Sequence, residues 1–329
     1  MKVRFAIDIL QDSNAWDVLD IVVQHFFDRR HVWDIIDPNE IENSPWIQTD
    51  SSGRAGRRNL SALKKCYTDS AYPRNIKMHK LTIVITNGCS SDSSDFHLNP
   101  SDARRCLDGP AWILVENAES DGAFLEAMIC AFQRRDLLDA HTEGWFTIRH
   151  LGGFGEVEKH INQIKASTSG PLRAFVLVDS DRLHPTHVSS TMQKVQRACT
   201  PHNVLHKILN KRKIENYLPV NVIQKVQGRN RETAKAFLCL SQEQKDFYEM
   251  KGGFKKDQNG RVIIPDEQKP LFQHTPKKTL NKLCGGFGPN IWECFKACRT
   301  EITQEAVKLC CTGEPEEIER MLDSIETLL

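Results

Sequence analysis

The amino-acid sequence predicts an α/β fold in which helices flank a parallel sheet, with an N-terminal α/β extension and a mainly helical C-terminal part. Four candidate strands end near residues 116, 150, 179 and 209, and stretches with the apolar spacing of helices lie between them. Intervals of about 30 residues suit successive strand–helix–strand units. Because the crossovers in such units are right-handed, they build a parallel sheet with helices on both faces.

This pattern divides the chain into three predicted regions. Residues 1–109 form the N-terminal α/β extension, residues 110–220 the sheet-forming core, and residues 221–329 the mainly helical region. The expected elements of the outer regions are strands at residues 3–10 and 80–86, a helix at residues 16–27, a loop at residues 87–101, helices at residues 232–250, 291–299 and 315–328, and a turn-rich segment at residues 251–266.

Two aspartates at the end of an apolar run are the most informative feature of the core. Residues 174–178 have no polar face and read as a buried strand, which Asp179 and Asp181 follow. Residues i and i+2 of a strand lie on the same side, so both carboxylates can face one point. They would repel each other there unless one took a proton or a cation lay between them, and Mg²⁺ is a natural hard cation for oxygen ligands. The alternative is an Asp-rich turn after a core strand.

A second apolar strand, at residues 111–115, also ends in an acidic residue. Glu116 has no helix of its own to cap, so we expect its carboxylate to face the same edge of the sheet. Asp121 falls in the first turn of the following helix, where a negative charge is favoured. A role as a metal ligand and a role at the helix terminus both stay open for Asp121.

The remaining core elements continue the pattern. A strand is expected at residues 145–150, then a glycine-rich turn at residues 152–155 that could admit a phosphate or simply close a tight turn. A helix at residues 188–199 and a strand at residues 203–209 follow. The acidic loops all leave the carboxyl ends of the strands, which is the edge where open α/β sheets bind ligands.

These motifs together resemble the TOPRIM domain, which occurs in topoisomerases, bacterial primases, recombination proteins and the OLD-family nucleases. The resemblance covers roughly residues 110–220 and is closest to TOPRIM nucleases of antiphage defence systems. It is carried by the segments Val-Glu-Asn-Ala-Glu-Ser-Asp-Gly-Ala-Phe-Leu (115–125), Leu-Gly-Gly-Phe-Gly (151–155), Val-Asp-Ser-Asp-Arg (178–182) and Lys-Ile-Glu-Asn-Tyr-Leu (213–218).

The resemblance implies roles for individual residues. Glu116 matches a glutamate that serves as metal ligand or general base, and Asp179 and Asp181 match the Asp-x-Asp metal ligands. Asp121 and Glu215 match further acidic metal ligands of the nuclease subgroup. The family usually has glycine directly after the glutamate, whereas this chain has Asn117 and a loop one residue longer.

The implied activity is metal-dependent hydrolysis of phosphodiester bonds, with Glu116, Asp179 and Asp181 as the catalytic residues and Mg²⁺ or Mn²⁺ as cofactor. Two metal ions about 3.5–4 Å apart can activate the water and stabilise the leaving oxygen. The resemblance points to a toxic effector of an antiphage system. The alternative is a catalytically silent TOPRIM subunit that binds or regulates within a defence or DNA-repair complex.

Basic residues occur in clusters although the formal net charge is only +1. Arg57 and Arg58 lie in a segment without acidic residues, and Lys211, Arg212 and Lys213 adjoin the predicted site. Such clusters can neutralise the phosphates of DNA or RNA. The alternative for each cluster is a solvated loop.

Several features bear on partners and location. The chain has no Walker-type ATP site, so the resemblance to OLD nucleases implies a separate ATPase-type partner or self-association. No apolar run approaches the length of a membrane span, and the first residues lack a secretory signal. We therefore expect a cytoplasmic protein whose eleven cysteines are free thiols, packed as small hydrophobes rather than bound to zinc.

Overall fold

The chain folds into parallel sheets flanked by helices, which confirms the predicted α/β class. The structure is a computed structural model that describes residues 1–49, 60–66, 81–88, 95–311 and 313–329. The strands are β1 Lys2–Phe5, β2 Val32–Trp33, β3 Thr82–Ile85, β4 Phe96–Leu98, β5 Ala111–Val115, β6 Phe146–His150, β7 Ala174–Val178, β8 Leu205–Ile208, β9 Lys255–Lys256 and β10 Val262–Ile263.

Helices cover much of the rest of the described chain, and none of those described is both long and apolar enough to cross a lipid bilayer. They are α1 Ile7–Gln11, α2 Trp16–Phe27, α3 Pro38–Glu42, α4 Pro45–Thr49, α5 at residues 60–66, α6 Pro100–Asp108, α7 Ser120–Ala131, α8 Arg135–Thr142, α9 Val157–Ser167, α10 Ser190–Cys199, α11 Val220–Gln224, α12 Arg231–Leu238, α13 Gln242–Phe247, α14 Lys269–Phe272, α15 Lys277–Lys282, α16 Cys294–Ala297, α17 Gln304–Cys310 and α18 Glu317–Glu326.

Two four-stranded sheets share one topology. Their strand orders are β2-β1-β3-β4 and β6-β5-β7-β8, and every neighbouring pair in them is parallel. In each sheet the chain therefore starts at an inner strand, moves to one edge, and then returns across to the other side. The strands β9 and β10 form a separate antiparallel ribbon.

The N-terminal sheet departs from the sequence prediction at two places. The strand expected at residues 3–10 ends at Phe5, because Ile9 and Leu10 are buried on helix α1 rather than continuing the strand. Asp8 supports this turn, since its carboxylate accepts hydrogen bonds from Ile9 N and Thr86 Oγ1, at 2.9 and 2.8 Å. The loop expected at residues 87–101 contains strand β4, which pairs with β3. The helix expected at residues 16–27 is confirmed.

The C-terminal region is more broken than predicted. The single helix expected at residues 232–250 is divided into α12 and α13, because Ser241 begins a new helix with a capping box to Gln244. The turn-rich segment contains the β9–β10 ribbon. Expected helices at residues 291–299 and 315–328 are present as short pieces around α16 and as α18.

The two inner strands of the second sheet, β5 and β7, are buried on both faces, and this positions the edge that carries the acidic residues. Strand β7 is buried at every position. Phe175 and Leu177 pack with α7, α8 and the C-terminal helices, whereas Val176 and Val178 pack with α9 and α10. A strand with two apolar faces is typical of a parallel sheet between helix layers.

Arg173 joins the two sheets to the end of the chain. This buried side chain donates from Nε to Leu328 O and from Nη1 to Gly109 O, both at 2.9 Å. Arg30, which precedes β2, donates to the same Gly109 carbonyl at 2.8 Å. The linker between the sheets is therefore fixed from both sides.

Two glycine turns in the C-terminal region lie backbone against backbone. Gly253 has φ +61°, and a Cβ on it would lie 2.2 Å from both Gly286 N and Leu283 O.

We expect Gly253→Ala to lower the free energy of unfolding by about 2 kcal/mol or more, because left-handed backbone strain adds to this overlap. Gly260→Ala is the matched control, since Gly260 has φ +74° with nothing within 4 Å. Urea denaturation of the two variants tests this; equal losses would contradict the interlocked packing.

Candidate functional site

Strands β5 and β7 bring two acidic residues to one edge of the second sheet. They are parallel neighbours with Val115 opposite Leu177, and Glu116 follows the first strand directly. Asp179 follows Val178, the last residue of β7. Its Oδ1 accepts a hydrogen bond from Ile214 N at 2.9 Å, which ties the carboxylate to the loop after β8.

Asp181 reaches this edge in a different way from the one predicted. Strand β7 ends at Val178 and Asp181 has left-handed backbone (φ 52°), so strand alternation does not orient its side chain. Instead, its N–H donates to Arg212 O at 3.0 Å, and Thr191 Oγ1 donates to its Oδ2 at 3.1 Å. The Asp-x-Asp turn is thus held by the β8 loop and by helix α10.

Asp121 closes the loop that follows Glu116. Its carboxylate accepts hydrogen bonds from Asn117 N at 2.9 Å and from Ser120 Oγ at 3.0 Å, and the side chain is buried. Burial raises the pKa of Asp121, although these two hydrogen bonds act to lower it. The residue therefore organises the start of α7 and also adds a negative charge to the edge of the sheet.

Glu215 lies in a short 3₁₀-helix, Ile214–Tyr217, and is fully buried, with 0 % of its surface exposed. Neither of its carboxylate oxygens accepts a hydrogen bond of standard geometry. Lys251 Nζ lies 2.8 Å from Glu215 Oε1, so the charge of Glu215 is compensated by an ion pair with Lys251. A buried carboxylate needs such compensation, because burial disfavours the charged form.

The carboxylates act on one another electrostatically. Burial raises the pKa of Glu116, and the charges of Asp181 and Asp121 raise it further. Burial likewise raises the pKa of Asp179 well above its usual range, with Glu215 and Asp121 as the next largest causes. The five acidic residues predicted from the sequence therefore share one site, which we call the carboxylate cluster (Glu116, Asp121, Asp179, Asp181 and Glu215).

The suitability of this cluster for a metal ion rests on its donor atoms rather than on a preformed coordination geometry. In the part of the chain that the structure describes, no three His, Cys, Asp or Glu side chains form a ready metal-binding group. The donor set still fits a hard divalent cation, because it consists of carboxylate oxygens that repel one another, and the pKa values of Glu116, Asp121 and Asp179 are raised. Those raised pKa values are the response of carboxylates whose charge is not fully compensated.

The predicted nucleic-acid ligands have different surroundings. Lys211 is buried, lies 2.9 Å from Asp246 Oδ1 and stands over the Tyr217 ring, so its position does not suit the predicted phosphate contact. Arg212 is largely buried and pairs with Glu249 at 2.9 Å. Lys213 faces the cluster, with Nζ 3.9 Å from Asp181 Oδ1. Arg57 and Arg58 lie outside the described residues.

Sequence reasoning missed the residues that the C-terminal region brings to the cluster. Lys251 contacts Glu215, and Glu249 Oε2 lies 3.8 Å from Lys213 Nζ. Both belong to a turn far from the cluster in sequence, where no periodic pattern points to a site. The only sequence signal is the pair of glycine doublets, at residues 252–253 and 285–286, which mark a close backbone approach.

Comparisons of the chain with protein-family models, curated proteins and solved structures find no match.

The raised pKa of Asp179 predicts how pH affects the metal-free protein. Above that pKa the folded state holds a charge that burial and its neighbours disfavour, and below the ordinary aspartate pKa this cost is gone. Asp179→Asn keeps the acceptor for Ile214 N and removes the charge. We expect it to raise the Tm at neutral pH, by about 2–4 °C for each kcal/mol gained, and to lose this advantage as pH falls toward about 4.

Thermal unfolding in EDTA across this pH range measures the effect. Asp139→Asn, which removes an exposed aspartate of helix α8, serves as the control and should change the Tm little at any pH. An Asp179→Asn variant that melts below the wild type at neutral pH would contradict the electrostatic account of the cluster.

Proposed function

We propose that this protein is a metal-dependent nuclease that hydrolyses phosphodiester bonds at the carboxylate cluster. One observation carries the proposal: five acidic side chains from three segments of the chain lie together at the carboxyl edge of a parallel sheet, and burial with mutual repulsion raises the pKa of Glu116, Asp121 and Asp179. Structural acids are more often paired individually with Arg or Lys. Crowded, incompletely neutralised acids at a sheet edge are typical of functional sites.

Glu116, Asp179 and Asp181 are the residues that would hold a divalent cation, Mg²⁺ or Mn²⁺. When bound, the cation would supply positive charge to a phosphate and lower the pKa of a water molecule. Glu116 suits a second task, because its raised pKa makes it a better proton acceptor for an attacking water. Ile214 N–H holds Asp179 in place, and Thr191 Oγ1 holds Asp181.

A nucleic acid suits this site as substrate. Lys213 lies beside Asp181 and is partly exposed, so its ammonium can meet a phosphate oxygen next to the cluster. The resemblance noted in the sequence extends the proposal to a toxic effector of antiphage defence, acting in the cytoplasm. Because an unrestrained nuclease would damage its own cell, we infer control by an ATPase-type partner or by self-association, through the N-terminal extension or the helices after residue 220.

A second candidate function is a catalytically silent subunit that binds nucleic acid or a partner. The observation that favours it is the presence of Lys213 and Lys251 within the cluster, where they neutralise part of its charge without a cation. In this case the acidic residues would serve the stability and shape of the edge alone.

A cleavage assay separates the two functions. Purified protein is incubated with duplex DNA, single-stranded DNA, RNA and transfer RNA, each with Mg²⁺, Mn²⁺ or EDTA. The nuclease proposal expects cleavage of at least one substrate that needs the cation, and the assay also identifies that substrate. If the protein binds nucleic acid but cleaves it in no condition, whether or not the protein is self-associated, the result would favour the silent subunit.

A further inference from the structure

Lys251 stands where a cation would be expected in the carboxylate cluster. Its Nζ lies 2.8 Å from Oε1 of the fully buried Glu215. Burial acts to lower the pKa of Lys251, but the charges of Glu215, Asp179 and Asp121 outweigh this and raise it. The ammonium therefore interacts with these three carboxylates and with that of Glu116, and it compensates the most deeply buried one, Glu215.

The backbone around Lys251 is fixed by the interlocked glycine turns. Gly288 N donates to Lys251 O at 3.0 Å, and Phe287 N donates to Met250 O at 2.8 Å. Gly286 allows this approach, since a Cβ there would lie 2.5 Å from Lys251 O. Gly253 N returns to Glu249 O at 2.8 Å, which closes the turn on its other side. Lys251 is thus presented to the cluster by a rigid segment and not by a free loop.

The charges of the cluster limit how many divalent cations it can hold. Five carboxylates and the two ammonium groups of Lys213 and Lys251 carry a formal net charge of −3. One divalent cation would reduce this to −1, whereas two would turn it to +1 in a partly buried site. Two divalent cations held so near each other repel strongly in a site with little water. A second divalent cation is therefore disfavoured as long as Lys251 stays paired with Glu215.

We propose that Lys251 acts as a built-in cation of the carboxylate cluster. Its ammonium pairs with Glu215 and compensates the negative charge that one metal ion would otherwise compensate. The cluster is thereby limited to one divalent cation per chain. This inference rests on the proposed metal-dependent function and refines it. Glu215 is then an anchor for Lys251 and not a metal ligand.

Mn²⁺ titration of the whole chain, by calorimetry and by electron paramagnetic resonance, tests the proposal without any substrate. We expect one bound ion in the wild type. Lys251→Met should bind Mn²⁺ roughly tenfold more tightly or take up a second ion, because it adds one net negative charge to the cluster. Glu215→Gln should bind more weakly, because it removes one. The double variant Lys251→Met/Glu215→Gln restores the wild-type net charge and should restore wild-type affinity.

The double variant separates the proposal from its rival. If Glu215 were itself a metal ligand, the double variant would stay as weak as Glu215→Gln, and this result would overturn the inference. Two ions in the wild type, or unchanged Mn²⁺ binding in Lys251→Met, would overturn it as well. Lys282→Met is the matched control: Lys282 is similarly exposed and pairs with Glu232 on the surface, so this variant should bind one ion with wild-type affinity.

The metal-free protein gives an independent measurement. In EDTA, Lys251→Met should lower the Tm by on the order of 5 °C, because Glu215 keeps a buried charge without its partner. The double variant should recover most of this loss, and a double variant as unstable as Lys251→Met would contradict the ion pair. If the wild type binds one Mn²⁺, if Lys251→Met changes this binding as expected, and if no substrate is cleaved, only the proposed nuclease function is overturned. Cleavage by a chain that binds two ions would overturn only this inference.

Discussion

Replacing Asp179 with alanine is expected to reduce nucleic-acid cleavage by about 10³-fold or more while the chain stays folded. The side chain lies at the carboxyl end of the central strand β7 and is coupled to Glu215, Asp121 and Asp181. It would therefore contribute to holding the cation on which the proposed reaction depends. Glu116→Ala should have a similar effect, since it removes both a ligand and the proposed proton acceptor.

Initial cleavage rates at saturating Mn²⁺ measure this prediction, with circular dichroism and thermal unfolding to confirm that each variant is folded. Asp139→Ala is the matched control, because it removes an exposed aspartate of helix α8 that lies away from the cluster. It should cleave at the wild-type rate. An Asp179→Ala variant that is folded and cleaves like the control would show that the reaction takes place elsewhere.

Glu317→Ala is expected to lower the free energy of unfolding by about 3–5 kcal/mol. This buried carboxylate accepts hydrogen bonds from Tyr217 Oη at 2.7 Å and from Asn210 N at 2.8 Å, and it lies 3.0 Å from Lys207 Nζ. Its removal leaves the buried Tyr217 hydroxyl without its acceptor and Lys207 without its counter-ion, and the Asn210 N–H keeps only its longer contact to Tyr217 Oη, at 3.2 Å. Because Asn210 and Tyr217 lie on the segment that follows β8, the part of it that carries Lys213 and Glu215 should loosen as well.

Urea denaturation at neutral pH measures the loss of stability, and hydrogen exchange of the amides in residues 209–218 reports on the loop. Glu319→Ala is the matched control on the same helix, since Glu319 is 41 % exposed and pairs with Lys308 at 2.9 Å. Its cost should stay below about 1 kcal/mol. A Glu317→Ala variant no less stable than this control would mean that helix α18 does not anchor the β8 loop.

The sequence alone predicts the second sheet well, because its inner strands β5 and β7 are apolar runs, its edge strands β6 and β8 mix apolar and polar residues, and a polar turn follows each strand. Glu116 and Asp179 are also accessible to this reasoning, since parallel strands present their carboxyl ends at one edge, whereas Glu215 was implied only by the family resemblance. Strand alternation was the wrong reason for placing Asp181 beside Asp179. The left-handed backbone of Asp181 and its tie to Arg212 O depend on the β8 loop, which no local pattern reveals.

The C-terminal contribution to the site could not be predicted. Lys251 meets Glu215 only because the turn that contains Gly253 packs against the turn that contains Gly286, and this contact joins segments about thirty residues apart in sequence. For Lys211 the local sequence was misleading. Its basic neighbours suggest a surface patch, but its side chain is buried next to Asp246 and the Tyr217 ring. Both outcomes depend on packing between segments distant in sequence, which composition and periodicity do not reveal.

The most direct test of the central claim is a crystal structure of the Mn²⁺-soaked protein with anomalous data that locate the metal. We expect an anomalous peak at the carboxyl edge of the second sheet, in contact with the carboxylates of Glu116, Asp179 and Asp181, and absent from Asp179→Ala crystals. Full Mn²⁺ occupancy at another place, with these three carboxylates free of metal, would contradict it.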